Sequence, residues 1–178
     1  MVIGGGNSQS AQVIGFRIFG VAAGAGVVSE TRLSNVKLQM TSSGSAFGMR
    51  VDTDRGASMT IDSMHMEIFS SAASQGYSLS NMNTTISNSS ISIDGEGSVT
   101  RGISGLPNSG SSIGRVTVLS TNVLLIGGES IGIENRGTAP SQPMIVRDSH
   151  IRADTSIQAQ DIASTNRTYV SDLSLIHI

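Results

Sequence analysis

The sequence contains no cysteine and no tryptophan, and charged residues make up only 13% of it. Without cysteine, the chain of 178 residues cannot build a disulfide framework or a thiolate metal site. Lysine and arginine number 11 against 13 aspartate and glutamate residues, so there is no basic excess to attract a nucleic-acid backbone. We therefore expect no nucleic-acid partner.

Long hydrophobic runs are also missing. The best apolar stretch, residues 21–28 (VAAGAGVV), contains two glycines and is much shorter than the roughly 18 residues of a spanning helix. The first basic residue is Arg17, so no export signal is readable at the start. We expect no membrane span in this fragment, and the missing signal leaves the compartment open.

The last six residues, 173–178 (LSLIHI), resemble a translated sequencing adapter. Such a segment is excluded from fold reasoning. The expected organisation is one domain over residues 1–172, truncated at one or both ends, followed by an adapter-derived tail at 173–178. The rest of its own longer chain is then one of its partners.

Small residues and aliphatic residues dominate what is present. The chain has 31 serine, 21 glycine and 3 proline residues, a share that is typical of disorder when it has no period. Valine, isoleucine, leucine and phenylalanine nevertheless make up a quarter of the chain, and little charge repulsion opposes collapse. A folded domain is expected if the apolar residues are periodic.

One pattern recurs along most of the chain. It is an apolar residue, then Asn, Asp or Ser two places later, then apolar residues at places five and usually seven. The copies follow one another at intervals of 24 to 32 residues, as expected for strands joined by loops of variable length. They begin at Leu33, Ile61, Ile86, Val118, Val146 and Val170.

A second apolar element follows about 15 residues into most repeats, beside a glycine. Its alternation over a few residues predicts short half-buried strands, and no apolar stripe keeps helical spacing for ten residues. The glycines are Gly48, Gly76, Gly102 and Gly132. The apolar residues are Phe16 and Ile18, Met49 and Val51, Tyr77 and Leu79, Ile103, Ile131 and Ile133, and Ile157 and Ala159.

Parity predicts where the chain turns. Places five and seven lie on one face of a strand, but places zero and five differ by an odd number and cannot share it. The chain must therefore turn near place two, where Asn and Asp tolerate left-handed backbone angles. Each repeat becomes one rung of a coil, and stacked rungs bury a shared core.

These repeats resemble those of right-handed parallel β-helix proteins, the pectate-lyase-like superfold. The resemblance covers roughly residues 13–172 and predicts an all-β, single-stranded β-solenoid of about six rungs. A leucine-rich repeat has a similar period but needs more than the nine leucines present. The superfold hosts pectin-degrading enzymes, phage tailspikes, adhesins and surface proteins, so it implies little about activity.

The place-two column is the clearest polar feature of the sequence. We interpret it as a structural ladder of turn residues that is hydrogen-bonded along the stack. Its members are Asn35, Ser63, Asn88, Ser120, Asp148 and Asp172.

Two members of that column also suggest chemistry. Asp148 and Asp172 fall on successive rungs, which would place their carboxyl groups about 5 Å apart, near the separation in a retaining glycosidase. The same pair could hold calcium. If the chain is an enzyme, Asp148, Asp172 and Arg147 are the candidate catalytic residues; otherwise we expect no catalytic residue, cofactor or metal.

Two histidine-containing segments have plainer interpretations. The cluster Arg147, Asp148, His150 and Arg152 is rich in ionisable groups, but its neighbouring rungs offer no acidic patch. An exposed polar strand face is the favoured interpretation. His65 alternates with two core methionines and is expected to point outward.

Two functions from different classes remain. The first is a non-catalytic structural or adhesive segment of a secreted or cell-surface protein, with carbohydrate or another surface macromolecule as partner. The alternative is a polysaccharide-degrading lyase or hydrolase, or a phage tailspike. The first is favoured because polar positions hold Ser, Thr and Asn rather than convergent ionisable groups.

Overall fold

A computed structural model describes residues 2–4, 12–19, 30–52, 58–80, 82–105, 114–135, 144–159, 168–171 and 174–176. The described residues form a parallel β-solenoid of about four turns, without a helix. The predicted all-β solenoid class is confirmed. The rung number of about six and the right-handed sense stay predictions.

The strands form two parallel sheets, and the first of them has six strands. Its inner column runs from Leu33 through Ile61 and Ile86 to Val118 and Val146, the apolar residues at place zero of each repeat. The strands are β3 (Glu30–Ser34), β6 (Ser58–Asp62), β9 (Asn83–Ser87), β11 (Val116–Leu119), β13 (Met144–Arg147) and β16 (Thr168–Ser171).

The remaining strands form an eleven-stranded sheet with two arms. The long strands β10 (Ser90–Gly105) and β12 (Asn122–Asn135) run through both arms. The first arm adds β1 (Val2–Gly4), β4 (Lys37–Ser42), β7 (His65–Ser70), β14 (His150–Arg152) and β17 (Ser174–Ile176). The second arm adds β2 (Val13–Phe19), β5 (Ala46–Asp52), β8 (Ser74–Ser80) and β15 (Thr155–Ala159).

All strand pairs are parallel, and equivalent places of successive repeats lie opposite one another. In the first arm, Met40, Ile68, Ile93 and Leu125 form one buried column, one residue from each turn. A single turn cannot cover its own apolar face, so stacking is what buries it. The result is one continuous core running from turn to turn.

A stack of glycines lies in the second arm. A Cβ on Gly15 would lie 2.6 Å from the Gly48 carbonyl oxygen, on Gly48 2.8 Å from that of Gly76, and on Gly76 2.6 Å from that of Gly102. On Gly102 it would lie 2.4 Å from the Gly132 carbonyl oxygen. No side chain fits at these positions because the backbone of the following turn occupies the space.

The register of the second arm differs from the sequence expectation at one turn. The repeat pattern predicts that Ile131 and Ile133 align with Met49 and Val51, but Ile133 lies opposite Ile103, whereas Ile131 lies opposite Arg101. The glycine stack explains the difference. Gly132 must follow Gly102, which moves Ile133 into the column of Met49 and leaves Asn135 in the column of Val51.

The glycine stack predicts a specific steric penalty. Gly102→Ala places a methyl group 2.4 Å from the Gly132 carbonyl oxygen and 2.7 Å from Val123 Cγ1. We expect overpacking to lower the free energy of unfolding by about 1–3 kcal/mol, measured by denaturant titration. Ser58→Ala, at a half-buried position of β6, is the control and should change it by less than about 0.5 kcal/mol. Equal stability of the two variants would contradict the steric argument.

Candidate functional site

The corner between the six-stranded sheet and the first arm is a two-residue turn that repeats along the stack. Its first residue has a left-handed backbone in each described turn, although none is glycine. The φ angles are 53° at Asn35, 55° at Ser63, 49° at Asn88, 47° at Ser120 and 49° at Asp148. These are the place-two residues, which are the positions where parity requires a turn.

Backbone hydrogen bonds continue through this corner. The Asn35 amide donates to the Asp62 carbonyl at 3.1 Å, and the Ser63 amide donates to the Ser87 carbonyl at 3.1 Å. The same bond joins Asn88 to Leu119 at 3.2 Å. Each left-handed corner residue is therefore hydrogen-bonded to the next repeat in the stack. This bond offsets the free-energy cost of its positive φ angle.

The side chains of the same column are less regular. Asn88 Nδ2 donates to Asp62 Oδ1 at 2.8 Å, as does Ser87 Oγ at 2.8 Å, so this contact links a turn to the end of the strand below it. Asn35, Ser120 and Asp148 are exposed. Four of the five described place-two residues are therefore exposed, and Ser63 is half-buried.

The catalytic candidates from the sequence are only partly described. Arg147 and Asp148 are both exposed, and Arg147 lies opposite Leu119 on one side and Ser171 on the other. Asp172 lies outside the described residues. Within the described ranges, no three His, Asp or Glu side chains are grouped as a metal ion would require.

A buried hydroxyl ladder at place three was not anticipated from the sequence. Ser89 Oγ accepts from the Met64 amide at 3.2 Å and donates to the Ser87 carbonyl at 2.7 Å. Ser149 Oγ accepts from the Thr121 amide at 3.2 Å in the same way and donates to the Arg147 carbonyl at 2.8 Å. These buried hydroxyls satisfy amides that the turn leaves without a strand partner.

The outward face of the first arm carries a hydrogen-bonded network across three turns. His65 Nε2 lies 2.9 Å from Glu67 Oε1, and Gln39 Nε2 donates to Glu67 Oε2 at 2.6 Å. On its other side, the imidazole Nδ1 of His65 is hydrogen-bonded to Ser90 Oγ. The His65 side chain is 45% exposed, so the predicted outward orientation is confirmed.

Hydrogen bonds lower the pKa of two carboxyl groups on these surfaces. The bond from His65, followed by that from Gln39, lowers the pKa of Glu67. The bonds from Asn88 and then Ser87 lower the pKa of Asp62. Both groups are therefore carboxylates at neutral pH.

A shallow groove of about 310 Å³ opens next to this network on the same face. Ser90 lines the groove and also belongs to the network, so it connects the two. The guanidinium of Arg152 stands exposed at the far side. The lining residues are Ser90, Ile91, Ser92, Asn122, Val123, Leu124, His150 and Arg152.

The second arm contains a nearly buried ion pair. Arg101 Nε lies 2.9 Å from Glu134 Oε2, which also accepts from Ser104 Oγ at 2.9 Å. The Glu134 side chain is 1% exposed. The pair joins successive turns and satisfies a buried carboxylate, so it is a structural contact.

Tyr77 is not available as a surface platform for a sugar ring. Its side chain is fully buried in the core, and burial raises the pKa of its hydroxyl group. The hydroxyl has no hydrogen-bond partner among the described residues. The one other tyrosine, Tyr169, lies on β16.

Comparison with protein-family models, curated proteins and solved structures gave no match for this chain. In the described part of the chain, no helix combines the length and the apolar character needed to cross a membrane.

The hydroxyl ladder predicts a stability loss at Ser89. Ser89→Ala removes the acceptor of the buried Met64 amide, and we expect the free energy of unfolding to fall by about 1–3 kcal/mol. Ser89→Thr keeps the hydroxyl and matches Thr121, one turn further on, so it should retain most of the stability. Denaturant titration of both variants checks this, and an equally destabilised threonine variant would be inconsistent with the ladder.

The network on the first arm predicts an acid dependence of stability. Because the pKa of Glu67 is lowered in the folded state, its carboxylate contributes to the free energy of unfolding. This contribution is fully present above the pKa of the unfolded chain, about 4.3, and is lost as the pH falls through the pKa of the folded chain. Glu67→Gln cannot titrate, so the variant should lose less stability than the parent chain between pH 5 and pH 3. Urea titrations across this range measure it, with Ser58→Ala as control. Identical pH profiles for the Gln variant and the parent would refute the assignment.

Proposed function

We propose that this chain is a non-catalytic structural or adhesive segment of a secreted or cell-surface protein, of the pectate-lyase-like superfold. The observation that carries the proposal is the continuous hydrophobic core, which runs from Leu38 to Ala153 among the described residues. A stack of this kind extends one unit at a time, since each turn contacts only its neighbours.

The backbone pattern supports a rigid supporting role. Parallel ladders join strands from turn to turn, and the corner bonds from Asn35, Ser63 and Asn88 extend them between the sheets. The outer face of the first arm is mostly polar, with exposed Phe69 and Ile126 as the large apolar exceptions. Side chains on such a frame are held in fixed relative positions, which suits presentation of a binding surface.

Carbohydrate is the proposed partner class. The groove beside Ser90 has hydroxyl and amide groups at its rim and Leu124 in its lining, a combination that suits a sugar ring. Its volume of about 310 Å³ is near the lower limit of small-molecule sites. Extracellular or cell-surface location is proposed from the resemblance of the repeats alone.

The alternative is a polysaccharide-degrading enzyme or a phage tailspike. It is favoured by one local observation, the exposed pair of Arg147 and Asp148 at the end of β13. The alternative also needs Asp172 beside Asp148, as the repeat spacing predicts. The two functions differ in whether glycosidic bonds are cut.

A polysaccharide panel separates the two functions. The purified chain is tested for binding to acidic and neutral polysaccharides and for release of reducing or unsaturated ends. The structural or adhesive function predicts binding to at least one polysaccharide with no release of ends above that of a heat-denatured sample. Leu124→Asp, which places a charge in the groove, should weaken this binding at least tenfold.

The catalytic alternative gives a different result. Release of ends that Asp148→Asn abolishes, while Ser58→Ala does not, would replace the proposed function with the enzymatic one. Absence of binding to every polysaccharide would remove the adhesive part of the proposal.

A further inference from the structure

The outward face of the first arm holds a serine, a histidine and a glutamate in one hydrogen-bonded chain. Ser90 Oγ is bonded to His65 Nδ1, and His65 Nε2 lies 2.9 Å from Glu67 Oε1. A nucleophile, a base and a group that orients the base are the three parts of a catalytic triad. They come from the adjacent strands β7 and β10, where His65 lies opposite Ser90.

The hydrogen bonds determine which tautomer of His65 suits this chemistry. Glu67 is a carboxylate and can only accept, so Nε2 carries the proton that it receives. Nδ1 is then the unprotonated nitrogen and can accept the proton of the Ser90 hydroxyl. Gln39 holds the second oxygen of Glu67 at 2.6 Å, which fixes the orientation of the carboxylate.

Ser90 is also open to a ligand on its other side. It lines the groove of about 310 Å³, together with Asn122 and Leu124. Asn122 lies opposite Ser90 in the next turn, so the serine stands between its base and the groove. Because strands are about 4.8 Å apart, neighbouring side chains of this column can act on one small ligand.

Donors for a developing oxyanion have to come from side chains here. The Ser90 amide donates to the Met64 carbonyl at 2.8 Å, and the Asn122 amide donates to the Ser89 carbonyl at 2.9 Å. The backbone of this strand pair is therefore committed to the ladder. The exposed Asn122 side-chain amide lines the groove and lies opposite Ser90, so it is the candidate donor in this column.

From this arrangement we propose that Ser90 is an activated nucleophile which hydrolyses small, short-chain carboxylic esters bound in the groove, with His65 as base. Ser90 Oγ forms a bond to the ester carbonyl carbon while its proton passes to His65 Nδ1. The ester C–O bond breaks, and the alcohol leaves with that proton. Water then attacks the acyl-serine with His65 again as base, which releases the carboxylic acid and restores Ser90.

The site shares the groove beside Ser90 with the proposed carbohydrate surface, so it goes beyond the proposed function in its chemistry and not in its location. It uses Gln39, His65, Glu67, Ser90 and Asn122, whereas the core and the corner turns that make the chain a support do not take part. Ester hydrolysis releases no reducing ends, so the polysaccharide panel and the ester assay can fail independently. Ester hydrolysis at Ser90 would contradict the non-catalytic part of the proposed function and would leave its supporting role unchanged.

Covalent labelling tests the nucleophile directly. The intact chain is treated with a fluorophosphonate, which forms a P–O bond to an activated serine and expels fluoride, and the modified peptide is located by mass spectrometry. We expect one label, on Ser90. Ser90→Ala should abolish it, and Ser58→Ala, which alters a half-buried serine of the six-stranded sheet, should leave it unchanged. Labelling spread over several serines, or unchanged in Ser90→Ala, would overturn the proposal.

Turnover tests the base and its orienting group. With 4-nitrophenyl acetate we expect 4-nitrophenol release above buffer, reduced about a hundredfold in His65→Gln and Glu67→Gln. Asn122→Ala should lower kcat more than it raises KM if its amide acts on the transition state. Thermal unfolding of each variant shows whether the fold is kept. Folded His65→Gln with full activity would overturn the role of the base, and wild-type turnover equal to buffer would overturn the activity.

Discussion

The structure depends on a turn that occurs at the same point in each of the five repeats where the structure describes it. Apolar residues at places zero and five can both face inward only if the chain turns between them, and a left-handed residue at place two makes that turn in two residues. Because Asn35, Ser63, Asn88, Ser120 and Asp148 all adopt this conformation, successive turns superpose and their strands pair in register. The continuous core is a consequence of this superposition.

A second constraint acts on the opposite side of the coil, where glycines stack closely. At the Gly102 position a side chain would collide with the carbonyl oxygen of Gly132, so the glycines set the register of the second arm. This contact explains why Ile133 rather than Ile131 continues the column of Ile103. Ile131 and Ile133 are both apolar and could each have continued this column, so the steric contact between the glycines decided which of them does.

The inside and the outside of the solenoid follow different rules. Inside, most columns keep apolar residues from turn to turn, as Met40, Ile68 and Ile93 do, and some positions hold a hydroxyl that bonds to the backbone, as Ser89 and Ser149 do. Outside, a column can hold a chemically different residue in each turn. One outer column, for example, contains His65, Ser90 and Asn122 in successive turns. Any specific chemistry therefore belongs to the outer columns, since the inner ones are occupied with holding the turns together.

Most of the fold could be predicted from the sequence. Apolar residues at every second position mark the inward face of a strand, and an odd spacing between two inward-facing residues shows that the chain turns between them. The place-zero, place-five and place-seven columns lie where the repeat predicted them. The candidate site could not be predicted in the same way. His65 and Glu67 are two residues apart, but Ser90 and Gln39 are 25 and 26 residues away from His65, and no local pattern marks outward polar residues as partners. Local chain geometry determines which face a residue occupies, whereas only the stacking of turns determines which distant residues share that face, because their contacts depend on how many residues each loop contains.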